Sequence, residues 1–157
     1  MSGASRLEGF LVRSEVAWKA LVSALSEILE VSPEAIHAFD IEHLFTPSPP
    51  VLVELQEHGA GFHLDLTLYL GSEVRVPLTG VALARRLAGV LGQDVLTSPP
   101  AREAEATSPL QWVLARPDGE AYRVHQINPE SDDVEIDWSP ASMRPWESRS
   151  GPRPLPT

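Results

Sequence analysis

Residues 62–70 read Phe-His-Leu-Asp-Leu-Thr-Leu-Tyr-Leu, and this pattern says more about the fold than any other part of the chain. Every even position is apolar, and every odd position is polar or a tyrosine. Such period-two alternation is typical of a strand with one buried face. Residues 51–57 alternate as well and lead into a His-Gly-Ala-Gly turn. The two stretches predict a β-hairpin and therefore an antiparallel sheet.

The apolar positions also predict a register for this hairpin. If Glu57 pairs with Phe62, then Leu55 lies opposite Leu64, and the apolar residues of both strands share one face. A slip of one residue would send one strand's apolar set to the other face, so the pattern excludes it.

Two stretches predict the main helices. Residues 14–30 carry an apolar stripe at helical spacing, with Ser14 as the predicted N-cap. Residues 78–91 carry a second stripe, with Thr79 as the cap and Gly92 in the position that commonly ends a helix.

The remaining elements are predicted to be short. They are a helix at residues 32–45 and strands at residues 73–76, 94–97, 110–115, 120–127 and 133–138. The order of all these elements, with short connections, predicts an α+β fold: an antiparallel sheet with two main helices packed on one face. Residues 1–140 are predicted to form this single domain. Residues 141–157 are rich in proline, and we expect a tail that is disordered or bound to a partner.

Composition limits the function. The chain of 157 residues has 22 acidic and 12 basic side chains, a formal net charge of −10, and no cysteine. The lack of cysteine excludes disulfides, thiol catalysis and cysteine-bound zinc. The start of the chain does not resemble a signal peptide, and no apolar run reaches the roughly 18 residues of a membrane span, so we expect a soluble, cytoplasmic protein. The negative field would repel nucleic acid and anionic membranes and attract basic partners, although acidity also serves solubility alone.

One group of polar residues could carry chemistry. In the predicted register Glu54 faces Asp65 on the outer face of the hairpin, and His63 lies two residues away. These residues could form an acid–base pair or a metal site, but no second histidine at helical spacing supports a metal, and a solvated sheet face explains them better. The sequence therefore predicts no catalytic residue, no metal and no cofactor.

Residues 130–137, Glu-Ser-Asp-Asp-Val-Glu-Ile-Asp, are the most acidic segment. We call them the acidic segment. They are either the solvent face of an edge strand, where charge prevents aggregation, or a docking strip for a basic partner. The residues predicted to contact such a partner are Asp132, Asp133, Glu135 and Asp137, followed by Glu54, His63 and Asp65.

Two motifs carry a resemblance. They are residues 83–96, Leu-Ala-Arg-Arg-Leu-Ala-Gly-Val-Leu-Gly-Gln-Asp-Val-Leu, and residues 111–119, Gln-Trp-Val-Leu-Ala-Arg-Pro-Asp-Gly. A helix ending in Leu-Gly, followed by a short strand and a Trp-containing hairpin with a Pro-Asp-Gly turn, resembles the small acidic immunity proteins of bacterial toxin–immunity systems. The resemblance implies an inhibitor that occludes a toxin and supplies no catalytic residue.

Three functions follow as hypotheses. The first is a cytoplasmic, immunity-like inhibitor that covers a basic partner protein. The second is a chaperone of the type III secretion kind, since the size, acidity and element order also resemble that family, whose members usually end in a further helix. The third is a small enzyme of unknown chemistry. The sequence leaves the oligomeric state open.

Overall fold

The computed structural model describes residues 6–40, 49–100 and 110–146. Within these residues the chain forms eight strands and two α-helices. In chain order they are β1 (Arg6–Val12), α1 (Trp18–Leu29), β2 (Ile36–Ala38), β3 (Val51–Glu57), β4 (Leu64–Leu70), α2 (Gly80–Leu91), β5 (Val95–Thr97), β6 (Gln111–Ala115), β7 (Ala121–His125) and β8 (Arg144–Pro145). Neither helix in this part of the chain is long and apolar enough to cross a membrane.

All eight described strands belong to one sheet, in the order β2-β3-β4-β1-β5-β6-β7-β8. Neighbouring strands run antiparallel except β2 and β3, which run parallel. The predicted α+β fold is confirmed.

The sequence patterns did not predict β1, which is the central strand. It pairs with β4 along its whole length and with β5 through Leu11 and Val12. Phe10, Leu11 and Val12 are all buried, because side chains pack on both faces of the sheet at this point. A strand covered on both faces gives a continuous apolar run instead of alternation, and a run of three residues is too short to recognise.

The predicted register of the first hairpin is wrong by two residues. Glu57 pairs with Leu64, and Leu55 pairs with Leu66. The turn is longer than predicted because Phe62 leaves the strand, donates its backbone N–H to the carbonyl oxygen of Val134 at 2.8 Å, and packs on the opposite face. A shift of two keeps the side chains of the paired residues, 51–57 and 64–70, on their predicted faces, so alternation does not distinguish the two registers.

Both helices pack on one face of the sheet. Their buried residues form a single core with the inward side chains of β1, β3 and β4. The members from the helices are Leu21, Leu25, Ile28, Leu29, Leu83, Ala84, Leu87 and Ala88.

The predicted caps of α2 are confirmed, with Thr79 as the N-cap and Gly92 at a φ of 69°, and the helix begins at Gly80, two residues later than predicted. Helix α1 instead begins at Trp18, with Ala17 as the N-cap. The predicted cap at Ser14 is wrong, because residues 14–17 are not helical, and the backbone N–H of Ser14 donates to the side chain of Gln93 instead.

Two other predicted elements are absent from the described residues. The predicted helix at residues 32–45 is a single 3₁₀ turn, Pro33–Ala35, followed by β2, and residues 41–48 lie outside the described part. The parallel pairing of β2 with β3 replaces helical hydrogen bonds at this position. Residues 73–76 are not a strand. The guanidinium group of Arg6 holds this segment by donating to the carbonyl oxygens of Val76 and Leu78.

The acidic segment crosses the face of the sheet opposite the helices. Ile136 is 1% exposed and packs in a second apolar cluster with residues of β1, β5, β6 and β7. The predicted strand at residues 133–138 is wrong, because among the described residues its β-pairing is limited to one bridge between Ile136 and Gln126. Apolar side chains alternate here because the segment lies on a packed surface.

The end of the described chain lies on the sheet edge. Arg144 pairs with Arg123, and the guanidinium group of Arg123 lies 4.2 Å from the ring centre of Trp146. The sheet thus continues past the predicted domain boundary at residue 140, and residues 147–157 of the predicted tail lie outside the described part.

Gly61 controls how closely the hairpin turn approaches the acidic segment. Its φ is +67°, and a β-carbon there would lie 2.2 Å from the backbone oxygen of Val134. We therefore expect Gly61→Ala to lower the free energy of unfolding by about 3 kcal/mol, from a left-handed backbone and a backbone clash. Denaturant unfolding measures the effect. Gly59→Ala is the matched control in the same turn, because nothing lies within 4 Å of its β-carbon position. An equal loss in both variants would contradict this account.

Candidate functional site

The backbone of the acidic segment is fixed by Asn128. The side-chain amide of Asn128 donates to the carbonyl oxygen of Asp133 at 2.8 Å and accepts the backbone N–H of Glu135 at 3.0 Å. The backbone N–H of Ile127 donates to the carbonyl oxygen of Glu135 at 2.9 Å. These bonds give the backbone of the segment a defined path.

His58 brings two of the predicted site residues together. Its Nδ1 atom lies 3.2 Å from Oδ1 of Asp133, and its Nε2 atom lies 3.8 Å from Oδ2 of Asp65. The histidine side chain is mostly buried between the two carboxylates. The outer face of the first hairpin and the acidic segment therefore meet at one point in the fold.

Asp137 is held inside its own loop. Its carboxylate accepts the backbone N–H of Ser139 at 3.0 Å and the hydroxyl group of Ser142 at 2.8 Å. The backbone hydrogen bond from Ser139, supported by the one from Ser142, lowers the pKa of Asp137 below its ordinary value. Asp137 thus stabilises the turn that leads into β8.

The other two predicted residues differ in exposure. Asp132 is exposed, whereas Glu135 is half-buried and lines a cavity described below. Of the four residues predicted in this segment, Asp133 and Asp137 thus have side-chain partners among the described residues.

Glu54 belongs to a different group. The predicted pairing of Glu54 with Asp65 is wrong, because the observed register places Thr67 opposite Glu54. The hydroxyl group of Tyr69 donates to Oε1 of Glu54 at 2.7 Å, and this bond raises the pKa of Tyr69 above its ordinary value of 10.0. The Tyr69 ring stacks on Phe39 at a centroid distance of 5.5 Å. Glu54 therefore does not form a carboxylate pair.

His63 lies beside the loop that precedes α1. Its Nε2 atom is 3.7 Å from Oε2 of Glu15. Glu57 completes a group in which one potential ligand atom from each residue lies within 4.8 Å of the others. His63 thus joins neither Glu54 nor Asp65.

A buried carboxylate holds Arg13, one of the residues that line the cavity. Asp94 is 6% exposed, and it accepts Nη1 of Arg13 at 2.8 Å and Nε of Arg116 at 3.0 Å. Charge-assisted hydrogen bonds of this kind offset the cost of burying the carboxylate. They also hold the guanidinium group of Arg13 over the ring of Trp138, 4.2 Å from its centre.

The cavity has a volume of about 290 Å³ and opens beside Trp138. The residues that line it come from the position after β1, the first hairpin turn, the stretch after β7, and the acidic segment with the residue that follows it. They are Arg13, Gly61, Phe62, Ile127, Glu135, Ile136 and Trp138.

The rim of this cavity is partly apolar. Trp138 stacks on Phe62, with ring centres 6.1 Å apart and planes 10° from parallel. Even so, Trp138 is 37% exposed and Ile127 is 57% exposed. A surface with exposed tryptophan, isoleucine and arginine beside a carboxylate has the composition of a protein-binding hot spot.

Sequence reasoning missed the residues that hold this surface together. Arg13 and Asp94 are 81 positions apart, and no local spacing connects them. The weak signal was Trp138, an aromatic residue at the end of the acidic segment and outside any helix pattern.

Comparisons of the chain with protein-family models, with curated proteins and with solved structures give no match.

The lowered pKa of Asp137 predicts a pH-dependent contribution to stability. A depressed folded-state pKa stabilises the protein above the unfolded value of 3.8, and the contribution is lost as the pH falls through the folded value. We expect Asp137→Asn to unfold at a lower denaturant concentration than the parent protein at neutral pH, and the difference to vanish in strong acid. Asp132→Asn, at an exposed position of the same segment, should match the parent at both pH values. A pH-independent difference for Asp137→Asn would show that its carboxylate charge is unimportant.

Proposed function

We propose that this protein is a binding protein that inhibits a basic partner protein by covering it, as an immunity protein or antitoxin does. The proposal places the chain in the cytoplasm, assigns it no catalysis, and excludes nucleic acid as the direct ligand. What supports it is the combination of a strongly acidic chain and one preformed surface of the hot-spot type.

The surface around Trp138 carries the proposal. Ile127 and Trp138 are exposed although both adjoin a packed apolar cluster, and Arg13 and Glu135 stand beside them. Burial of large apolar side chains at the centre of a contact gives most of the binding free energy, and the surrounding polar residues exclude water. Because Asp94 fixes Arg13 and Asn128 fixes the backbone of Glu135, these residues lose little conformational entropy on binding.

The carboxylates have two separate roles in this proposal. Asp132 and Glu135 attract lysine and arginine side chains of the partner and speed its approach, which a net charge of −10 reinforces. Asp133 and Asp137 keep the segment in its binding shape through His58, Ser139 and Ser142. Asp65 acts with Asp133 through His58, while Glu54 and His63 lie outside the core of this contact.

Inhibition would follow from occlusion. If the partner acts on nucleic acid or another polyanion, its active surface is basic, and carboxylates can occupy the positions of phosphate groups there. The first test is to capture a partner protein with the tag-free protein. The activity of the captured partner is then assayed, and it should be lost when this protein is added back. Capture of a secreted effector that keeps its activity would favour the chaperone hypothesis instead.

The charge of the surface should control the rate of association. We expect the double variant Asp132→Asn, Glu135→Gln to bind the captured partner about 3–10 times more slowly at low salt, with a weaker dependence on salt. Stopped-flow or surface-based kinetics at low and high salt measure this. The matched control is Glu27→Gln with Glu34→Gln, which removes the same charge from exposed positions of α1 and the 3₁₀ turn. Equal slowing in both double variants would show that net charge alone matters and would remove the acidic segment from the contact.

Trp138 should control the lifetime of the complex. We expect Trp138→Ala to raise the dissociation rate by about 30-fold, the effect of losing a hot-spot residue, with a smaller change in association. Trp18→Ala is the control, because Trp18 is exposed to a similar degree on α1. Ile127→Ala repeats the test if the loss of stacking on Phe62 disturbs the fold. An unchanged lifetime in both Trp138→Ala and Ile127→Ala would place the contact elsewhere.

A further inference from the structure

Three potential metal ligands from separate parts of the chain meet at the first hairpin turn. Glu15 lies in the loop between β1 and α1, Glu57 ends β3, and His63 immediately precedes β4. One ligand atom from each lies within 4.8 Å of the others. Packing in the apolar core does not explain why these residues lie close together, because both glutamates are exposed.

The imidazole ring of His63 has an unused nitrogen. Its Nε2 atom is shielded from solvent and has no hydrogen-bond partner among the described residues, although the side chain as a whole is 32% exposed. The carboxylate of Glu15 stands 3.7 Å away, beyond hydrogen-bonding distance. A shielded nitrogen without a partner is unfavourable, and its lone pair is suited to a metal ion.

The backbone holds all three residues in position before any ion arrives. The N–H of His63 donates to the carbonyl oxygen of Arg13 at 3.2 Å, and its carbonyl oxygen accepts the N–H of His58 at 2.7 Å. The amide side chain of Gln93 spans the loop, since it accepts the N–H of Ser14 and donates to the carbonyl oxygen of Glu15. Glu57 is fixed by its pairing in the sheet.

The charge of the group also favours a cation. Two carboxylates close together repel each other. The nearest guanidinium group in sequence, that of Arg13, is already bound to Asp94. A divalent ion would neutralise both carboxylates.

We propose that Glu15, Glu57 and His63 form a binding site for a divalent transition-metal ion of the zinc class. One imidazole and two carboxylates are a donor set that zinc accepts, and three protein ligands leave a coordination position for water or a further ligand. Ligand atoms around tetrahedral zinc are about 3.3 Å apart. The exposed glutamate side chains need to move only slightly from the present arrangement to reach that spacing.

The site is independent of the proposed function, because it lies on the side of the turn that faces α1 and uses none of the residues around Trp138. Bound zinc would link the loop before α1 to the first hairpin, and it would stabilise the folded chain.

Zinc titration of the full chain tests the site. The protein must be prepared without a histidine tag and stripped with a chelator. We expect calorimetry to show one zinc ion bound per chain, and saturating zinc to raise the melting temperature by about 5–10 °C over the chelated protein. In nitrogen NMR of the histidine side chains, the Nε2 resonance of His63 should shift on zinc addition. The shift identifies the ligand atom independently of stability.

The variants remove one ligand atom at a time. His63→Gln and Glu57→Gln should each weaken zinc binding at least about tenfold and reduce the rise in melting temperature. Glu15→Gln should do the same, and because its side chain is 72% exposed, it should leave the fold of the chelated protein intact. The matched controls are Glu54→Gln, on the same strand as Glu57, and His37→Gln, on β2. Both should bind zinc as the parent does.

Two outcomes would overturn the proposal. One is a melting temperature and a His63 spectrum that do not respond to zinc, which would leave a simple contact between His63 and Glu15. The other is zinc binding that survives Glu15→Gln and His63→Gln but is lost in His58→Gln. That result would place the ion between Asp65 and Asp133 on the opposite side of the turn.

Discussion

Strand β1 is the element on which the rest of the structure depends. It pairs with β4 on one side and β5 on the other, and it thereby joins the first hairpin to the strands of the C-terminal half. Its residues Phe10 and Val12 enter the helix-side core, while Leu11 enters the cluster under the acidic segment. The cavity beside Trp138 exists because Arg13, the residue directly after β1, reaches Asp94 at the start of β5. Loss of β1 would separate the sheet into two parts and remove the support of the surface we propose for partner binding.

The sequence predicts well which face of a strand is buried, but it predicts poorly which residues pair across neighbouring strands. The first hairpin shows why. Alternation identifies which side of β4 is buried, and it excludes a one-residue slip, but a shift of two residues leaves every side chain on the same face. The true register depends on Phe62, whose N–H bonds to Val134, 72 positions later, and no local pattern contains that information. By contrast, the caps of α2 are predicted correctly because these signals, Thr79 before the helix and Gly92 after it, are local.

The acidic segment shows a second limit. Its apolar residues alternate as in a strand, yet the segment forms a single bridge and lies across the sheet, where one side packs and the other meets solvent. Alternation reports one-sided burial, whatever the hydrogen bonding. Which carboxylates remain outward was also beyond the sequence. Asp133 contacts His58, and Asp137 accepts a hydrogen bond from Ser142. Asp132 and Glu135 are the same residue types, and only their positions in the fold distinguish them. Of these four acidic residues, Asp133 and Asp137 thus hold the structure together, whereas Asp132 and Glu135 line the surface or the cavity.

The six-residue turn between β3 and β4 explains why both candidate sites lie near one another. Its backbone makes hydrogen bonds to two other parts of the chain. The N–H of Phe62 donates to the carbonyl oxygen of Val134, and the N–H of His63 donates to the carbonyl oxygen of Arg13. Gly61 permits the first contact, since its left-handed conformation and missing side chain let the turn touch the backbone of the acidic segment. The same backbone path places His58 on one side, against Asp133, and His63 on the other, beside Glu15. A short turn with two histidines therefore supports a carboxylate surface on one side and a potential ion site on the other. A length change in this turn would disturb both, whereas side-chain substitutions can separate them.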